Sequence, residues 1–351
     1  MQRKSSVSQQ RSLRLLTLFI LLALVTSMGL PVFAQEAAPP DQPAGPIQIL
    51  EFTGDETKDA AVGKESNAGF PFVDVPAGMS LFGETEPNDT AATANALPGS
   101  QVVVLANINP AVDVDYFSFT ANTGDRVYAA TMTQFSNGGS TDTIVDVIAS
   151  DGTTILETDD DSGSFSGTSS AIGGTIIPAA GTYYVRVDGF STTATITPYH
   201  LHVRVQSGLP TAEVEPNNDT TTATPLAASG WMSGTITATS TTGEADFFSF
   251  NLNAGDSVFL GLDMDPGRLP SNTNWNGRLG FGIFAGNQIL VVNDGSTTKP
   301  HAEAFFMTVQ QAGTYYAYID STSATGLGAN ARYNLSVSIY PKQVQNNCTT
   351  I

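Results

Sequence analysis

Short runs of alternating apolar and polar residues recur along most of the chain. Residues 115–119, 181–187 and 199–205 alternate with a period of two, and residues 333–339 repeat the last of these patterns. A period of two indicates a β-strand with one buried face and one face in water. Typical turn sequences separate the runs, namely Asn122-Thr123-Gly124, Asp151-Gly152 and Asn293-Asp294-Gly295. No long amphipathic helical pattern occurs, so the sequence predicts an all-β fold of antiparallel β-sandwiches that are jelly-roll-like in size.

An internal repeat predicts that the sandwich occurs twice. Four sequence blocks return in the same order at offsets of 129 to 132 residues, and they begin at Glu84 and Glu213, at Asp113 and Glu244, at Gly124 and Gly255, and at Ala180 and Ala312. A nearly constant offset over four blocks indicates a duplication. We therefore predict two tandem modules, at residues 83–206 and 211–341, with a hinge at 208–210 and a tail at 342–351.

The first residues are typical of a signal peptide. In residues 1–34 a basic region ends at Arg14, an apolar run follows, and Val32-Phe33-Ala34 places small residues before a cleavage site. An uncleaved anchor helix is the alternative, but Gly29 and Pro31 interrupt the apolar run, which is short for a full span. We expect the segment to be removed.

The stretch between the signal peptide and the first module is rich in proline and acidic residues. Residues 35–82 are therefore predicted to be a disordered linker, mostly extended. Within it, residues 47–50 and 70–72 are short apolar pieces that could each form a strand.

The chain is strongly acidic. Its formal charge of −19 becomes −23 when the four basic residues of the signal peptide are removed. Such a surface repels nucleic acid and anionic membranes but is compatible with cations, above all calcium. No other apolar run is long enough to cross a bilayer, so we expect no stable membrane insertion after cleavage. The lone Cys348 excludes an intrachain disulfide.

The repeated acidic segments are the strongest candidates for chemistry. In an extended segment Glu84, Glu86 and Asn88 project to the same side, and Asp113 and Asp115 share one side of their strand. Calcium takes six to eight oxygen ligands of this kind. A solvated acidic turn is the alternative that the residues alone leave open. The candidate calcium ligands are Glu84, Glu86, Asn88, Asp89, Asp113 and Asp115 in the first module, and Glu213, Glu215, Asn217, Asn218, Glu244 and Asp246 in the second.

Weaker candidates lie elsewhere. Asp159-Asp160-Asp161 could hold another cation, although a solvated loop is the preferred interpretation. His200 and His202 share one strand face, but zinc needs further ligands, and we expect this face to be wet. One tyrosine of each pair, Tyr183-Tyr184 and Tyr315-Tyr316, should face solvent, where it could contact a polymer. Trp231, Trp275 and the loop 271–276 are peculiar to the second module and are candidates for recognition.

Enzyme signatures are missing from the sequence. It contains no His-Glu-x-x-His, no Gly-x-Ser-x-Gly and no phosphate-binding Gly-x-x-x-x-Gly-Lys-Ser/Thr. With three histidines, a Ser-His-Asp triad is improbable, although paired acids leave a glycosidase open by counting. We expect a protein that is not an enzyme.

The repeated blocks resemble the bacterial pre-peptidase C-terminal domain family. The resemblance is carried by Glu-Pro-Asn-Asp/Asn, Asp-x-Asp-Tyr/Phe-Phe-Ser-Phe, Gly-Asp and Gly-Thr-Tyr-Tyr, which occur in this order in both copies. It implies a non-catalytic β-sandwich appended to secreted enzymes, often peptidases. A more distant similarity to the collagen-binding domains of clostridial collagenases implies calcium at the acidic segment. Calcium is thereby favoured over a solvated turn, less so in the second module, where Asn218 and Glu244 replace aspartates.

These observations predict a secreted, non-catalytic binding or accessory protein. Its calcium-stabilised modules would contact an extracellular polymer (protein or polysaccharide), the cell envelope or a secreted partner enzyme. The alternative is the C-terminal accessory tail of a secreted peptidase, which assists secretion or folding. A hydrolase is the third interpretation.

Overall fold

The computed structural model confirms the all-β prediction. It describes residues 48–52, 72–73, 80–133, 135–161, 163, 168–239, 243–268, 275–283, 289–293, 302–321, 327 and 331–343. None of these residues lies in a helix, so this part of the chain offers no helix that could cross a membrane. The predicted signal peptide, His301, Cys348 and most of the loop 271–276 lie outside the described residues.

The described strands are short and joined mainly by tight turns. In chain order they are β1 (Gln48–Phe52), β2 (Phe72–Val73), β3 (Phe82–Gly83), β4 (Asn95–Ala96), β5 (Gln101–Ile108), β6 (Val114–Ala121), β7 (Arg126–Met132), β8 (Thr143–Ile148), β9 (Ile155–Asp159), β10 (Ala171–Ile176), β11 (Gly181–Gly189), β12 (Ile196–Gln206), β13 (Thr211–Ala212), β14 (Thr224–Pro225), β15 (Trp231–Thr235), β16 (Asp246–Leu252), β17 (Ser257–Asp263), β18 (Arg278–Ile283), β19 (Ile289–Asn293), β20 (Ala302–Val309), β21 (Gly313–Asp320) and β22 (Arg332–Tyr340).

These strands form four sheets, two in each sandwich-like unit. In the first module, inner sheet 1 has the order β10-β7-β12-β5-β3 and outer sheet 1 the order β4-β6-β11-β8-β9. In the second module, inner sheet 2 has the order β13-β15-β22-β17-β20-β2 and outer sheet 2 the order β1-β19-β18-β21-β16-β14. Corresponding strands take corresponding places: β12 lies between β5 and β7, as β22 lies between β15 and β17.

Each module has its own core between its two sheets. In the first module Phe117 and Val185 are paired across outer sheet 1 and pack towards Leu201 of inner sheet 1. The alternating strands place these residues on the same face of each sheet, as the period of two predicts. In the second module the corresponding core includes Phe248 and Leu335.

Part of the predicted linker joins the second module. β1 pairs in parallel with β19 at the edge of outer sheet 2, and β2 pairs antiparallel with β20 at the edge of inner sheet 2. The two short apolar pieces of the linker therefore overlap with strands, although they lie before the first module in the chain.

The inner sheets of the two modules pack against each other. A separate apolar cluster spans both modules, and its buried members are Val103, Ala130, Met132 and Ala171 from the first module and Phe259, Ala304 and Phe306 from the second. Gly173 lies so close to the second module that an added Cβ would be 2.8 Å from the carbonyl oxygen of Leu262. The backbones therefore approach closely at this interface.

Polar contacts surround this apolar centre. Arg268 donates to Asp263 Oδ1 (2.6 Å) and reaches across to Glu157 Oε1 (3.1 Å) and to the carbonyl oxygen of Gly173 (2.6 Å). The indole nitrogen of Trp231 donates to the hydroxyl of Tyr128 at 3.1 Å. The interface thus combines apolar burial with directed hydrogen bonds, which fix the relative register of the two sheets.

The expectation of a wet face on β12 is wrong. His202 is only 1% exposed because its side chain enters the interface, while His200 stays partly exposed. The prediction that Trp231 and Trp275 recognise a ligand at the surface is also wrong, because both side chains are buried. Alternation identified the polar side of β12 but carried no information about a second module packed on it.

Candidate metal centre

An opening segment crosses from one sheet of each sandwich to the other. We define the first opening segment as residues 84–89 and the second as residues 213–218. In the first module, β3 and Glu84 hydrogen-bond to β5 of inner sheet 1, with Glu84 N donating to Leu105 O at 3.2 Å. Asn88 O then accepts from Tyr116 N of outer sheet 1 at 3.0 Å. The acids therefore lie where the two sheets meet.

The second opening segment is anchored in the same way. Glu213 N donates to Ser233 O of inner sheet 2 at 2.9 Å, and Asn217 O accepts from Phe247 N of outer sheet 2 at 2.9 Å. The peptide bond before the proline is cis in both segments, at Glu86–Pro87 and Glu215–Pro216.

In the first module the structure brings all six predicted residues together. Carboxylate oxygens of Glu84, Glu86 and Asp115 lie within 4.8 Å of one another, and Glu86 forms a second such group with Asp89 and Asp113. Asn88 is fully buried beside them: its side-chain amide approaches Glu86 Oε2 and Asp115 Oδ1, each at 3.0 Å. With its nitrogen turned inward the amide donates to both carboxylates, and with its oxygen turned inward it adds a further ligand atom.

Burial makes the charged form of these carboxylates costly. Loss of solvent raises the pKa of Asp115 to about 8, against the hydrogen bond from Tyr199 Oη (2.5 Å) that favours the carboxylate. Burial likewise raises the pKa of Glu84 to about 6, although Asn107 donates to Glu84 Oε1 at 2.8 Å. Mutual repulsion adds to both shifts, since each carboxylate lies near the others.

In the second module the structure brings together a smaller set. Oxygens of Glu213, Glu215 and Asp246 lie within 4.8 Å of one another, and Asn217 is fully buried beside them. Burial raises the pKa of Asp246 to about 9, with the charge of Glu213 as the next cause. The hydroxyl of Tyr333 lies 2.6 Å from Asp246 Oδ2 and 2.8 Å from Glu213 Oε2.

Two predicted residues of the second module lie outside this triad. Asn218 is exposed. Glu244 accepts a hydrogen bond from Thr237 N at 2.7 Å, and its charge contributes to a raised pKa of Glu215, for which burial is the first cause. The second centre is therefore the same triad with fewer acids around it.

Both centres contain buried oxygen atoms that accept no hydrogen bond from the described part of the chain, and such atoms are suitable ligands for a hard cation. Glu84 Oε2, Asn217 Oδ1 and Asp246 Oδ1 are buried and accept no hydrogen bond from the described residues. Buried acceptors are rarely left unpaired. A proton shared between carboxyl groups would satisfy some of them, and a calcium ion would satisfy carboxylate and amide oxygens together. The donor set is oxygen only, which suits calcium better than zinc.

Several supporting residues were not predicted from the sequence. Tyr199 and Tyr333 come from the inner sheets and contact Asp115 and Asp246. Both tyrosines begin the repeated alternating run, so their recurrence was an available signal. Asn95 holds the first opening segment by bonding both backbone groups of Thr85, at 2.6 and 2.8 Å.

The remaining candidates have different outcomes. Asp159 turns away to accept from Ala171 N at 2.7 Å, whereas Asp160 and Asp161 bring oxygens within 4.8 Å of Asp142. The structure buries Tyr183 and Tyr315 and leaves their neighbours Tyr184 and Tyr316 partly exposed.

Residues 113–189 match the profile of the bacterial pre-peptidase C-terminal domain. The predicted family is therefore confirmed in the first module. The matched region includes Asp113 and Asp115 and ends with β11, so it contains the strand side of the first metal centre but not its opening segment. The second pre-peptidase C-terminal domain stays a prediction from the internal repeat.

A curated relative supports the association of this domain with peptidases. The chain is 34% identical over 103 residues to a probable subtilase-type serine protease of Deinococcus radiodurans. The alignment covers 29% of this chain and 14% of the protease, so the chain spans a small part of that relative.

Solved structures show only weak likeness. One is the periplasmic inhibitor of g-type lysozyme, PliG, of Aeromonas hydrophila, with 13% identity, a TM-score of 0.23, and coverage of 36% of this chain and 96% of that one. Another is the CBM22 tandem of Paenibacillus barcinonensis Xyn10C, with 10% identity, a TM-score of 0.21, and coverage of 76% and 100%. TM-scores this low support no argument about the chain.

Proposed function

We propose that the chain is a secreted, non-catalytic accessory protein with calcium-stabilised β-sandwich modules. The observation that carries the proposal is the convergence of carboxylate oxygens within 4.8 Å in both modules, beside buried oxygens without donors. Secretion is supported by the predicted signal peptide and by the family's association with secreted peptidases.

Calcium would act as a structural link at each opening segment. In the first module Glu84, Glu86, Asn88 and Asp115 would hold it, with Asp89 or Asp113 beside Glu86. In the second module Glu213, Glu215, Asn217 and Asp246 would hold it. The positive charge would offset the repulsion among the carboxylates and tie the segment to both sheets, because the ligands come from the segment and from an outer sheet.

The outer sheets offer surfaces for an extracellular polymer, the cell envelope or a partner enzyme. Tyr184 is partly exposed and lies 6.3 Å from Tyr116, edge to face, and Tyr316 stands in the same relation to Phe247 at 6.3 Å. Aromatic side chains on a flat sheet supply contact area with little loss of side-chain entropy.

A second candidate function is an accessory tail of a secreted peptidase, which is favoured by the similarity to the Deinococcus radiodurans protease. Co-expression with that class of peptidase distinguishes the two. An aid to folding or secretion would raise the yield of active peptidase, whereas an independent binding protein would leave the yield unchanged. Hydrolysis of casein by the purified chain, abolished by changing one acid, would contradict both.

Thermal unfolding tests the calcium proposal. The melting temperature of the full chain is measured in chelator and in a calcium series, for wild type, Glu86→Ala and Glu215→Ala. Saturation at 100 times Kd adds about 2.7 kcal/mol for one site. We expect calcium to raise the wild-type melting temperature by roughly 5–10 °C and each variant to lose part of that rise.

Asp151→Asn is the matched control. Asp151 is an exposed acid that holds the β8–β9 turn by accepting from Thr153 N and Thr154 N. This variant should start from a lower melting temperature but keep the full calcium-induced rise. An unchanged wild-type melting temperature, together with no bound calcium by elemental analysis, would remove the metal proposal.

A further inference from the structure

His202 is the one imidazole among the described residues that lies in the centre of the interface between the modules. Its ring stacks on Phe259 of the second module, with centroids 3.6 Å apart and an angle of 14° between the planes. Tyr340, also from the second module, meets it edge-on at 5.9 Å. On its own sheet His202 lies between Val103 and Ala130, which belong to the same apolar cluster.

Neither ring nitrogen of His202 has a polar partner among the described residues. Both nitrogens are buried and make no hydrogen bond to those residues. An imidazole that is neutral tolerates such a place better than an imidazolium, because the charged form loses its hydration without gaining a counter-ion.

The groups around His202 give it no anion. The titratable or charged groups on the facing sides of the neighbouring strands are His200 and Arg204 on β12, Arg126 and Tyr128 on β7, Arg332 and Tyr340 on β22 and Asp263 on β17. Uncharged polar groups there include Gln101 on β5 and Ser338 on β22, which pairs with Phe259. Burial lowers the pKa of His200 as well, although this side chain stays partly exposed. Asp263 is already bonded to Arg268 at 2.6 Å. It lies four residues from Phe259 along β17, about 13 Å away at 3.3 Å per residue. The facing residues of β20 and β10 in the cluster are apolar.

We propose that docking between the two modules is released by acid, with His202 as the group whose protonation opens the interface. In the docked molecule, burial holds the pKa of His202 well below its usual range, and the charge of Arg204 acts in the same direction. In an undocked molecule the ring meets water and returns towards its ordinary pKa of about 6.5.

The pH dependence of docking follows from the difference in proton binding by His202 between the two states. The undocked state takes up a proton below about pH 6.5 and the docked state does not, so acid favours the undocked state. Each pH unit below that value weakens docking about tenfold, which amounts to about 100-fold at pH 4.5. At pH 7.5 the ring is neutral in both states and the modules stay docked.

Two acids also take part in ion pairs between the modules. Asp263 lies 3.9 Å from Arg126, and burial raises the pKa of Asp263. Glu157 pairs with Arg268, and burial raises the pKa of Glu157 to about 7 despite that charge. Because this pKa is raised, the docked state takes up the proton of Glu157 before the undocked state does, so between about pH 7 and pH 4.5 Glu157 favours docking and opposes the effect of His202. A variant must therefore separate the two contributions. Glu157→Gln removes the titration of Glu157 and leaves His202 in place.

Small-angle X-ray scattering of the full chain tests the proposal. The radius of gyration is measured from pH 7.5 to pH 4.5 in constant excess calcium, with circular dichroism to confirm that the sheets remain folded. We expect Glu157→Gln to expand as the pH falls from about 6.5 to 4.5, and wild type to expand at a lower pH because Glu157 opposes the opening. His202→Phe and His202→Gln, which cannot be protonated, should remain docked to pH 4.5.

His200→Gln is the matched control, because His200 lies two residues away on the same strand face and is partly exposed. It should open as wild type does. The proposal is overturned if Glu157→Gln keeps its radius of gyration at pH 4.5 with its sheets intact. It is equally overturned if both His202 variants open at the wild-type pH. If His202→Phe fails to fold, the uncharged glutamine variant decides alone.

Discussion

Asp115 and Asp246 each sit at a point where their module needs a proton or a cation. Both side chains are fully buried, and each receives one hydrogen bond from a tyrosine of the opposite sheet. One hydroxyl donor does not offset the loss of water around a carboxylate with other carboxylates nearby, so the pKa rises in both cases. The calcium binding that we propose should therefore depend on pH.

Calcium affinity should increase as the pH rises from 6 to 9. Without calcium, the folded protein keeps Asp115 protonated up to about pH 8 and Asp246 up to about pH 9, and binding must displace those protons. Affinity should fall by up to about tenfold per pH unit for each proton displaced. Titration calorimetry in two buffers with different ionisation enthalpies measures both affinity and proton release.

Asp115→Asn supplies the control for this measurement. It removes the proton and one charge at the first site, so the remaining pH dependence should come from the second site. Equal affinities at pH 6 and pH 8.5, with no proton release, would contradict the coupling. In chelator, the stability of the protein should change with pH in the opposite direction to calcium affinity. Because the pKa values are raised in the folded state, the metal-free protein becomes less stable as the pH rises towards 8 and 9.

Sequence reasoning could predict the acids of the site but not its tyrosines. Glu84 and Glu86 alternate along one segment, and Asp113 and Asp115 alternate along another, so local geometry was enough to place each pair. Tyr199 lies 84 positions from Asp115, and only the stacking of two sheets brings them together. The role of the acids as calcium ligands stays a prediction.

At the scale of strands, the alternating pattern was a reliable guide. Residues 115–119, 181–187, 199–205 and 333–339 all lie in described strands. The pattern could not predict what covers each face. β12 presents His202 on its polar side, and an inner sheet of another module buries this side chain. Hydrophobic periodicity reports which residues share a face, whereas burial depends on contacts made over long sequence separations.

β10 approaches the second module so closely that its glycine positions have no room for a side chain. Gly174 has φ of +77°, and an added Cβ would lie 2.3 Å from Asp263 Oδ2. Asp263 is held by Arg268 and cannot easily give way. Gly174→Ala should therefore destabilise both the turned backbone and the interface.

Gly124→Ala separates these two costs. Gly124 has a similar φ of +86°, but its added Cβ would meet nothing within 4 Å. Left-handed backbone costs about 1–2 kcal/mol for alanine, so this variant should lose that amount. We expect Gly174→Ala to lose at least about 1 kcal/mol more, by urea denaturation. Equal losses would show that the contact with Asp263 is not held in solution.

At the scale of the molecule, the interface predicts that the modules unfold together. The chain has two tryptophans, Trp231 and Trp275, and both are in the second module. Tryptophan emission therefore follows one module, whereas far-ultraviolet circular dichroism follows the sheets of both. At neutral pH the two denaturation midpoints should coincide, since an interface with a continuous apolar cluster couples the modules.

Arg268→Ala should separate the two midpoints. The variant leaves Asp263 and Glu157 without their shared cation, and breaking such a buried pair costs about 3–5 kcal/mol. Arg332→Ala, which removes an exposed arginine of the same module, should keep the midpoints together. Separate midpoints in the wild type would contradict coupling between the modules.

The pairing of β1 with β19 has a consequence for the order of synthesis. β1 leaves the ribosome before the whole first module, but its partner strand emerges about 240 residues later. During that interval the strand must wait unpaired. The finished sheet in turn relies on it, because a chain shortened to begin at Leu81 would leave the backbone of β19 open at an edge. Open sheet edges can pair with strands of other chains, so β1 should protect this edge of outer sheet 2 from such aggregation.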